Sequence, residues 1–506
     1  MAAIQARILL TAVQHPSARI SQTEQQETAQ RNGERGAASE REATATVVRD
    51  LLSAGGVVAV KLGQVIAEDP RVPEPYCTLL GTLRDDNTPM SMVSFYHNLP
   101  TAVRARLSHL GGCLGTGSVK QVHKARFRSG MLLRSVGAKE GEGGPTATVA
   151  VAVLRRNVED EALASLSALQ ASPDLGPVAP RLGQLVYGEF NLFEEGEALK
   201  EFATTSIGTH PQFQVVDVVH HSPRCLVEEV AAGPTLAKLL GHNTASSGGA
   251  APHLADTDQK ALRAKVLDVL TEFHRTVLRA FAEDGLIHSD IHLGNMSAPN
   301  LPAAFRGAAA TEPGTREGGQ DEEEEEEELC FTLFDVGQFV RVGPADTKAL
   351  LWALGWISTP HRREILRTVA IKHLVATSTL SSSAAAEIST ASGGGDDSMD
   401  EALTQGALES RIGAAFDVAI EPDEQGRYRE QKPAWLRFLR ECELRGVLLP
   451  KGAFAVSKMM DSVISQQETF GLPKVLDEAI EANIRQNMSW REWSNIAQRT
   501  VTKTVN

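Results

Sequence analysis

The sequence predicts an α+β fold in two lobes, a small lobe of strands and a larger helical one, with a helical extension ahead of both. Three observations carry that expectation. LGTGSVKQVHKA (114–125) opens a run of valine-rich segments, VHKARFRSGMLLR, TATVAVAVLRR and QVVDVVHHSPRCLVEEVAAG, with one helical segment, FEEGEALKEFATTS, among them. From about Pro234 the helical period dominates, most clearly in KALRAKVLDVLTEFHRTVLRAFAEDG. Before the glycines, ATATVVRDLLSAGGVVAVKLGQVIAEDP and PEPYCTLLGTLRDD carry apolar residues at helical spacing.

In chain order, residues 1–43 read as a disordered leader or an organelle transit peptide, because Arg7 and Arg19 precede the first acid, Glu24. Residues 44–110 form the helical extension, 111–233 the strand lobe and 234–500 the helical lobe. Two low-complexity insertions, 298–329 and 378–398, lack the apolar content to pack and read as disordered surface loops. The run Asp321–Glu328 is one of them in part. Subtracting its eight charges from the net −14 leaves −6, so the body is mildly acidic and has no concentrated basic face for nucleic acid. The five cysteines show no CxxC pair, which fits neither a zinc site nor a disulfide framework. No apolar run reaches the roughly 18 to 20 residues of a membrane span, so no transmembrane helix is expected, only peripheral membrane contact.

The densest chemical signal is GLIHSDIHLGN (285–295), followed forty residues after Asn295 by LFDVG with Asp335. Phosphoryl transfer needs a carboxylate to orient the acceptor and oxygen ligands to hold Mg²⁺ against a phosphate chain. Protein kinases supply them as an Asp, an Asn five residues on, and a later Asp in a D-x-G turn. Asp290, Asn295 and Asp335 reproduce that order behind a glycine loop, and the fold expected is therefore two-lobed and protein-kinase-like. His288 and His292 read as hydrogen-bonding residues of the turn, since a third ligand for a metal pair is missing.

HSDIHLGN resembles the HxDxHxGN loop of the UbiB-type atypical kinases, the protein-kinase-like group that includes the ADCK proteins. KLGQ (Lys61–Gln64) with the following DPRVPEPYCTLLGTLRDDNTPM is similar to that group's KxGQ signature, QVHKARFRSG to its QVHxA strand, and LRGVLLPKGAFAVSKMMDSV to its C-terminal helices. The resemblance covers roughly residues 45–480 apart from the insertions. It implies ATP and Mg²⁺ as cofactors, Lys61 and Gln64 near the nucleotide, and the backbone around Glu229 and Ala231 against adenine. It also implies support of ubiquinone or related prenyl-lipid metabolism, with prenyl-lipid precursors or lipid-biosynthetic proteins as partners. The compartment implied is the mitochondrion, with a plastid or the cytoplasm also open.

Two departures stand out. The group favours an alanine-rich loop where this chain has Gly115-Thr116-Gly117-Ser118, whose backbone amides are candidates to cradle phosphates. The strand that should read VAVKV reads VAVAV, with Ala152 at the place of the phosphate-binding lysine. Three readings follow: a pseudokinase scaffold for a lipid-biosynthetic complex; a shifted lysine at Lys139; or replacement by Lys120, at the last glycine position of the loop. The third resembles the with-no-lysine (WNK) kinases, whose loop carries the lysine in GxGSFKxVYK. The acid that would position Lys120 or Lys61 is Glu195, with Glu197 as the other candidate.

Overall fold

In the computed structural model the chain is described over residues 42–67, 75–84, 89–128, 146–171, 179–241, 256–299, 328–336, 339–358, 363–386, 397–421, 431–450 and 452–479. Nearly all of the leader, Lys139, Gly337, residues 300–327 and 387–396 lie outside them. The chain divides into two units, Met1–Glu197 with Asp217–Val230, and Ala198–Val216 with Ala231–Asn506.

The first unit is built on an antiparallel sheet of β1 (Leu107–Thr116), β2 (Lys120–Arg128), β3 (Thr146–Leu154), β5 (Val218–Ser222) and β6 (Cys225–Glu229), in the order β1-β2-β3-β6-β5. The alternation in TVAVAVL sorts the two faces of β3, because successive side chains of a strand point to opposite sides. Val149, Val151 and Val153 pack with Ala125, Phe127, Cys225 and Val227 on one face. Phe95, Leu99 and Val103, from helices Met92–Asn98 and Thr101–Arg106 and the Leu99 between them, cover that face. Burying each valine stabilises by about 1.5 to 3 kcal/mol. Ser91 starts the first of these helices by accepting a hydrogen bond from the Ser94 amide.

The helical extension has its own small core. Ala45, Val48, Leu52, Val60, Tyr76, Leu80 and Leu83 meet there, drawn from residues 42–54, helix Gly56–Ala67, helix Tyr76–Gly81 and the turn after it. Gly63 of KLGQ sits at its tightest point: a Cβ would lie 2.4 Å from Leu83 Cδ1 and 3.0 Å from Leu52 Cδ1.

Between β3 and the helix Leu192–Ala203 the sequence reading expected no further helix, yet two occur, Val158–Gln170 and Ala179–Tyr187. The first carries Glu159, Asp160 and Glu161 in its opening turn, where the helix dipole favours acids, and buries Val158, Ala162 and Leu166 at four-residue spacing. Both pack on Gly56–Ala67.

The second unit centres on the helix Asp256–Asp284. Gly285 ends it with φ +64°, its amide donating to the Phe281 carbonyl at 3.1 Å. A Cβ at Gly285 would lie 2.2 Å from the Val342 oxygen, so the turn into β7 (Leu286–His288) has room for no side chain. β7 pairs with β10 (Phe339–Arg341), and β9 (Phe331–Leu333) joins β8 (Met296–Ser297) to β4 (Phe213–Val215). Helices Pro344–Ser358, Arg363–Thr377, Asp397–Ala419, Gln431–Leu444 and Ala453–Phe470 complete the unit around Trp352, Trp435, Phe416 and Phe438. The segment 378–398, expected as a disordered loop, starts otherwise: β11 (Thr379–Leu380) pairs with β12 (Val447–Leu448), and Ser378 and Ala384 are buried. Apolar side chains at Leu380 and Val447, cross-strand neighbours, are the reason that a serine- and alanine-rich sequence pairs there.

Candidate functional site

The glycine loop is a tight hairpin turn. Gly115 stands opposite Val122 and Thr116 opposite Gln121, and the Gly117 amide donates to the Lys120 carbonyl at 2.9 Å. That bond takes Gly117 off the set of amides expected to face phosphates. Ser118 lies in the turn itself, and Thr116 Oγ1 is 3.3 Å from Cys113 Sγ. Arg155 pins the turn from behind, its Nε donating to the Gly117 carbonyl at 3.0 Å and its amide to the Val119 carbonyl at 2.9 Å. At Gly115 an added Cβ would meet nothing within 4 Å, so the protein's own packing does not require a glycine there.

Strand register decides where the lysine can act. On β2 and β3, Lys120 stands opposite Leu154 and Val122 opposite Ala152. Residues two apart on a strand share a face, so Lys120 and Ala152 emerge on the same side of the sheet, diagonal neighbours on adjacent strands. That side is opposite to the valine core. Lys120 Nζ donates to Glu195 Oε1 at 2.5 Å, with 26% and 19% of the side chains exposed.

The remaining acids sort themselves around this pair. Glu197, the other candidate, accepts from His221 Nε2 at 2.6 Å, and His221 stacks on Phe193 with ring centroids 4.7 Å apart. Gly196, between the two glutamates, lets the helix press on His221, where a Cβ would fall 2.7 Å from the His221 Cβ. Lys61 of KLGQ pairs with Glu189, which follows the helix Ala179–Tyr187, and not with Glu195. Gln64 is half-buried on the same helix as Lys61. Glu229 ends β6 with its amide donating to the Asp217 carbonyl at 2.9 Å. Ala231 begins the connection that follows.

The second unit carries the other expected residues. After β7 the chain turns through Ser289 and Asp290 into a single 3₁₀ turn, Leu293–Asn295. Two backbone bonds of this loop run locally, from the His292 amide to the Asp290 carbonyl at 3.1 Å and from the Asn295 amide to the His292 carbonyl at 3.0 Å, and a third comes from the Phe334 amide to the Asn295 carbonyl at 3.0 Å. The last holds the segment bearing Asp335 against Asn295. Asn295 is buried and donates from Nδ2 to Asp290 Oδ2 at 3.5 Å. Asp335 has φ +56°, a left-handed conformation rare outside glycine and often tied to a site that needs it.

Both histidines serve the turn. His288 is buried, and its Nδ1 accepts from the Asp290 amide at 3.2 Å. Burial, helped by the neighbouring His292, pushes its pKa down to about 4, with Asp335 opposing. The imidazole is therefore neutral, as an acceptor nitrogen requires. His292 Nδ1 accepts from the Gly294 amide at 3.1 Å.

The donor set fits Mg²⁺. Asn295 spends its amide nitrogen on Asp290, which leaves Oδ1 as the atom able to ligate, and Asp335 adds a carboxylate. Two hard oxygen ligands from the protein are the usual share for this ion, which takes the rest from water and phosphate. Among the described residues no group of three His, Cys, Asp or Glu is placed to hold a metal.

Sequence reasoning did not name Glu189, Arg155, His221, Gln466 or His274. Each partners a residue far away in the chain, and no local spacing announces it.

Residues 97–304 match the family model of the ABC1 atypical kinase-like domain. No curated protein matches the chain. Among solved structures, the complex of Rv3197 with erythromycin from Mycobacterium tuberculosis is similar, at 20% identity over 65% of this chain and 72% of that chain, with a TM-score of 0.33.

Proposed function

We propose that this chain, which carries an ABC1 atypical kinase-like domain over residues 97–304, binds Mg²⁺-ATP and uses it as an atypical kinase or ATPase, with Lys120 in place of the missing strand lysine. The observation that carries the reading is the Lys120–Glu195 ion pair at 2.5 Å on the face of the sheet that Ala152 shares. Kinases need a lysine held by a glutamate to bind the α- and β-phosphates, and a methyl group at 152 offers no charge. Here β2 supplies the lysine and the helix Leu192–Ala203 the glutamate.

In this reading Lys120 neutralises the phosphates and Glu195 positions it. Open space at Gly115 lets phosphates approach the backbone, and the amides of Thr116 and Ser118 are the loop donors. The Glu229 carbonyl and the Ala231 amide meet adenine. In the second unit Asp290 orients the attacking hydroxyl or water and accepts its proton. Asn295 and Asp335 would hold Mg²⁺, whose contribution when bound is to bridge and neutralise phosphate oxygens. By the family's character the acceptor belongs to prenyl-lipid metabolism, in an organelle.

The test is Mg²⁺-dependent ATP binding and hydrolysis, with and without lipid vesicles, for the wild type and for Lys120→Ala, Lys139→Ala and Asp290→Asn. Loss of binding in Lys120→Ala alone, and loss of turnover with binding kept in Asp290→Asn, is the expected pattern. A wild type that binds ATP without turnover is a scaffold. A wild type that does not bind it sinks the reading.

A further inference from the structure

The helix Ala453–Phe470 buries Val456, Met459, Met460 and Val463 at helical spacing, then ends its buried stripe on two amides, Gln466 and Gln467. A polar side chain in a core is costly unless hydrogen-bonded, so what Gln466 touches matters. Its Nε2 donates to the carbonyl of Ile291 at 2.9 Å, and its Oε1 stands 3.1 Å from Nε2 of His274, a fully buried residue of the helix Asp256–Asp284.

Polarity fixes every atom in this chain of contacts. The Ile291 carbonyl can only accept, so the amide nitrogen of Gln466 must face it. Oε1 therefore faces His274, and His274 must carry its proton on Nε2. Its Nδ1 is buried without a hydrogen-bond partner. Burial also pushes the pKa of His274 down to about 4, against the raising effect of the Gln466 bond, which keeps the ring in this neutral form. The result is a bridge between two helices that ends on the carbonyl of Ile291, the residue after Asp290.

We infer that Gln466 is a positioning residue for the loop that carries Asp290 and Asn295, and that His274 orients its amide. The loop is also held by bonds from its own residues, His288 to the Asp290 amide and the 3₁₀ turn to Asn295, and by the Phe334 amide on the Asn295 carbonyl. None of those fixes the loop against a helix from another part of the chain. The bond to Ile291 does, across 175 residues of sequence. A catalytic carboxylate displaced by about 1 Å loses on the order of a hundredfold in rate, so such a tether governs turnover without touching substrate. The kinetic consequence rests on the ATP reading above; the structural consequence does not.

Gln466→Met keeps the volume and removes both bonds. Amide hydrogen exchange of peptides covering 288–298 is expected to speed up by about tenfold, while peptides from the helix Arg363–Thr377 keep their wild-type rates. In an enzyme that turns over ATP, kcat is expected to fall by about tenfold or more with KM for ATP within about twofold, the signature of lost transition-state positioning. His274→Phe leaves the Ile291 bond in place with an unanchored amide and should shift both readouts the same way by less; it carries the test if Gln466→Met does not fold. Unchanged exchange over 288–298 in the folded variant overturns the inference, as does equal acceleration everywhere or an unchanged kcat. If the wild type does not bind ATP, the proposed function fails, and the exchange measurement still decides the tether.

Discussion

Moving the charge back across the sheet tests the lysine assignment more sharply than deleting it. Lys120→Ala removes one charge-assisted contact to a phosphate, worth about 1.5 to 3 kcal/mol, or roughly a 10- to 150-fold rise in Kd for Mg²⁺-ATP. Ala152 shares a face with Lys120, and diagonal neighbours on adjacent strands lie about 7 to 8 Å apart, within reach of long side chains. Ala152→Lys in the Lys120→Ala background therefore returns an ammonium group to Glu195. Ala152 is 5% exposed between Val122 and Leu226, so the longer side chain costs about 1 to 3 kcal/mol of overpacking. Ala152→Met in the same background controls for that volume. The assay is calorimetric titration with Mg²⁺-ATP beside thermal unfolding of each variant. Recovery of at least about threefold in affinity by the lysine and none by the methionine is expected, a difference of about 0.6 kcal/mol. A Lys120→Ala protein that binds ATP as tightly as the wild type refutes the relocation.

Three further outcomes follow from the geometry. Gly115→Ala should leave the melting temperature within a degree or so, because its Cβ meets no protein atom, while ATP affinity falls; loss of stability would show that the glycine serves the fold. Gly63→Ala should destabilise by about 1 to 3 kcal/mol in denaturant titration, since its Cβ would overlap Leu83 and Leu52 in the core of the extension. His274 has a folded pKa of about 4 against 6.5, so the unfolded chain takes up a proton that the folded one refuses. Stability from this group is complete above pH 6.5 and falls by about 3 kcal/mol as pH drops towards 4. Unfolding curves of the wild type and His274→Phe should converge over that window; parallel curves would show that the ring titrates normally.

The strands and the long helices were legible because each depends on local periodicity. Alternation in TVAVAVL places its valines inward whatever else the chain does. The helices Val158–Gln170 and Ala179–Tyr187 were missed, although the first has acids in its opening turn and apolar residues four apart. What hid them is weak contrast: alanine and serine fill the remaining positions and blur the apolar stripe. The partner of Lys61 was hidden for a different reason. Glu189 lies 128 residues away, and only the packing of Gly56–Ala67 on Ala179–Tyr187 brings the two together.

The same distinction explains why the Lys120–Glu195 pair was readable and the Gln466–Ile291 contact was not. Side-chain parity on paired strands has period two, so a lysine lost at an even position of one strand can be replaced only from positions that share its face on a neighbour. Lys120, Val122 and Lys124 are the positions on β2 that stand directly or diagonally beside Ala152, and of them only Lys120 stands beside the turn that its own carbonyl closes. The choice between Glu195 and Glu197 needed one step more. They are two apart on a helix, hence on different faces, and Gly196 between them admits His221, which engages Glu197 and leaves Glu195 to the lysine. Gln466 obeys no such rule. A glutamine at the end of an apolar stripe reads as a solvated helix end, and only the burial of the Ile291 carbonyl beneath it turns that amide into a constraint on the loop carrying Asp290.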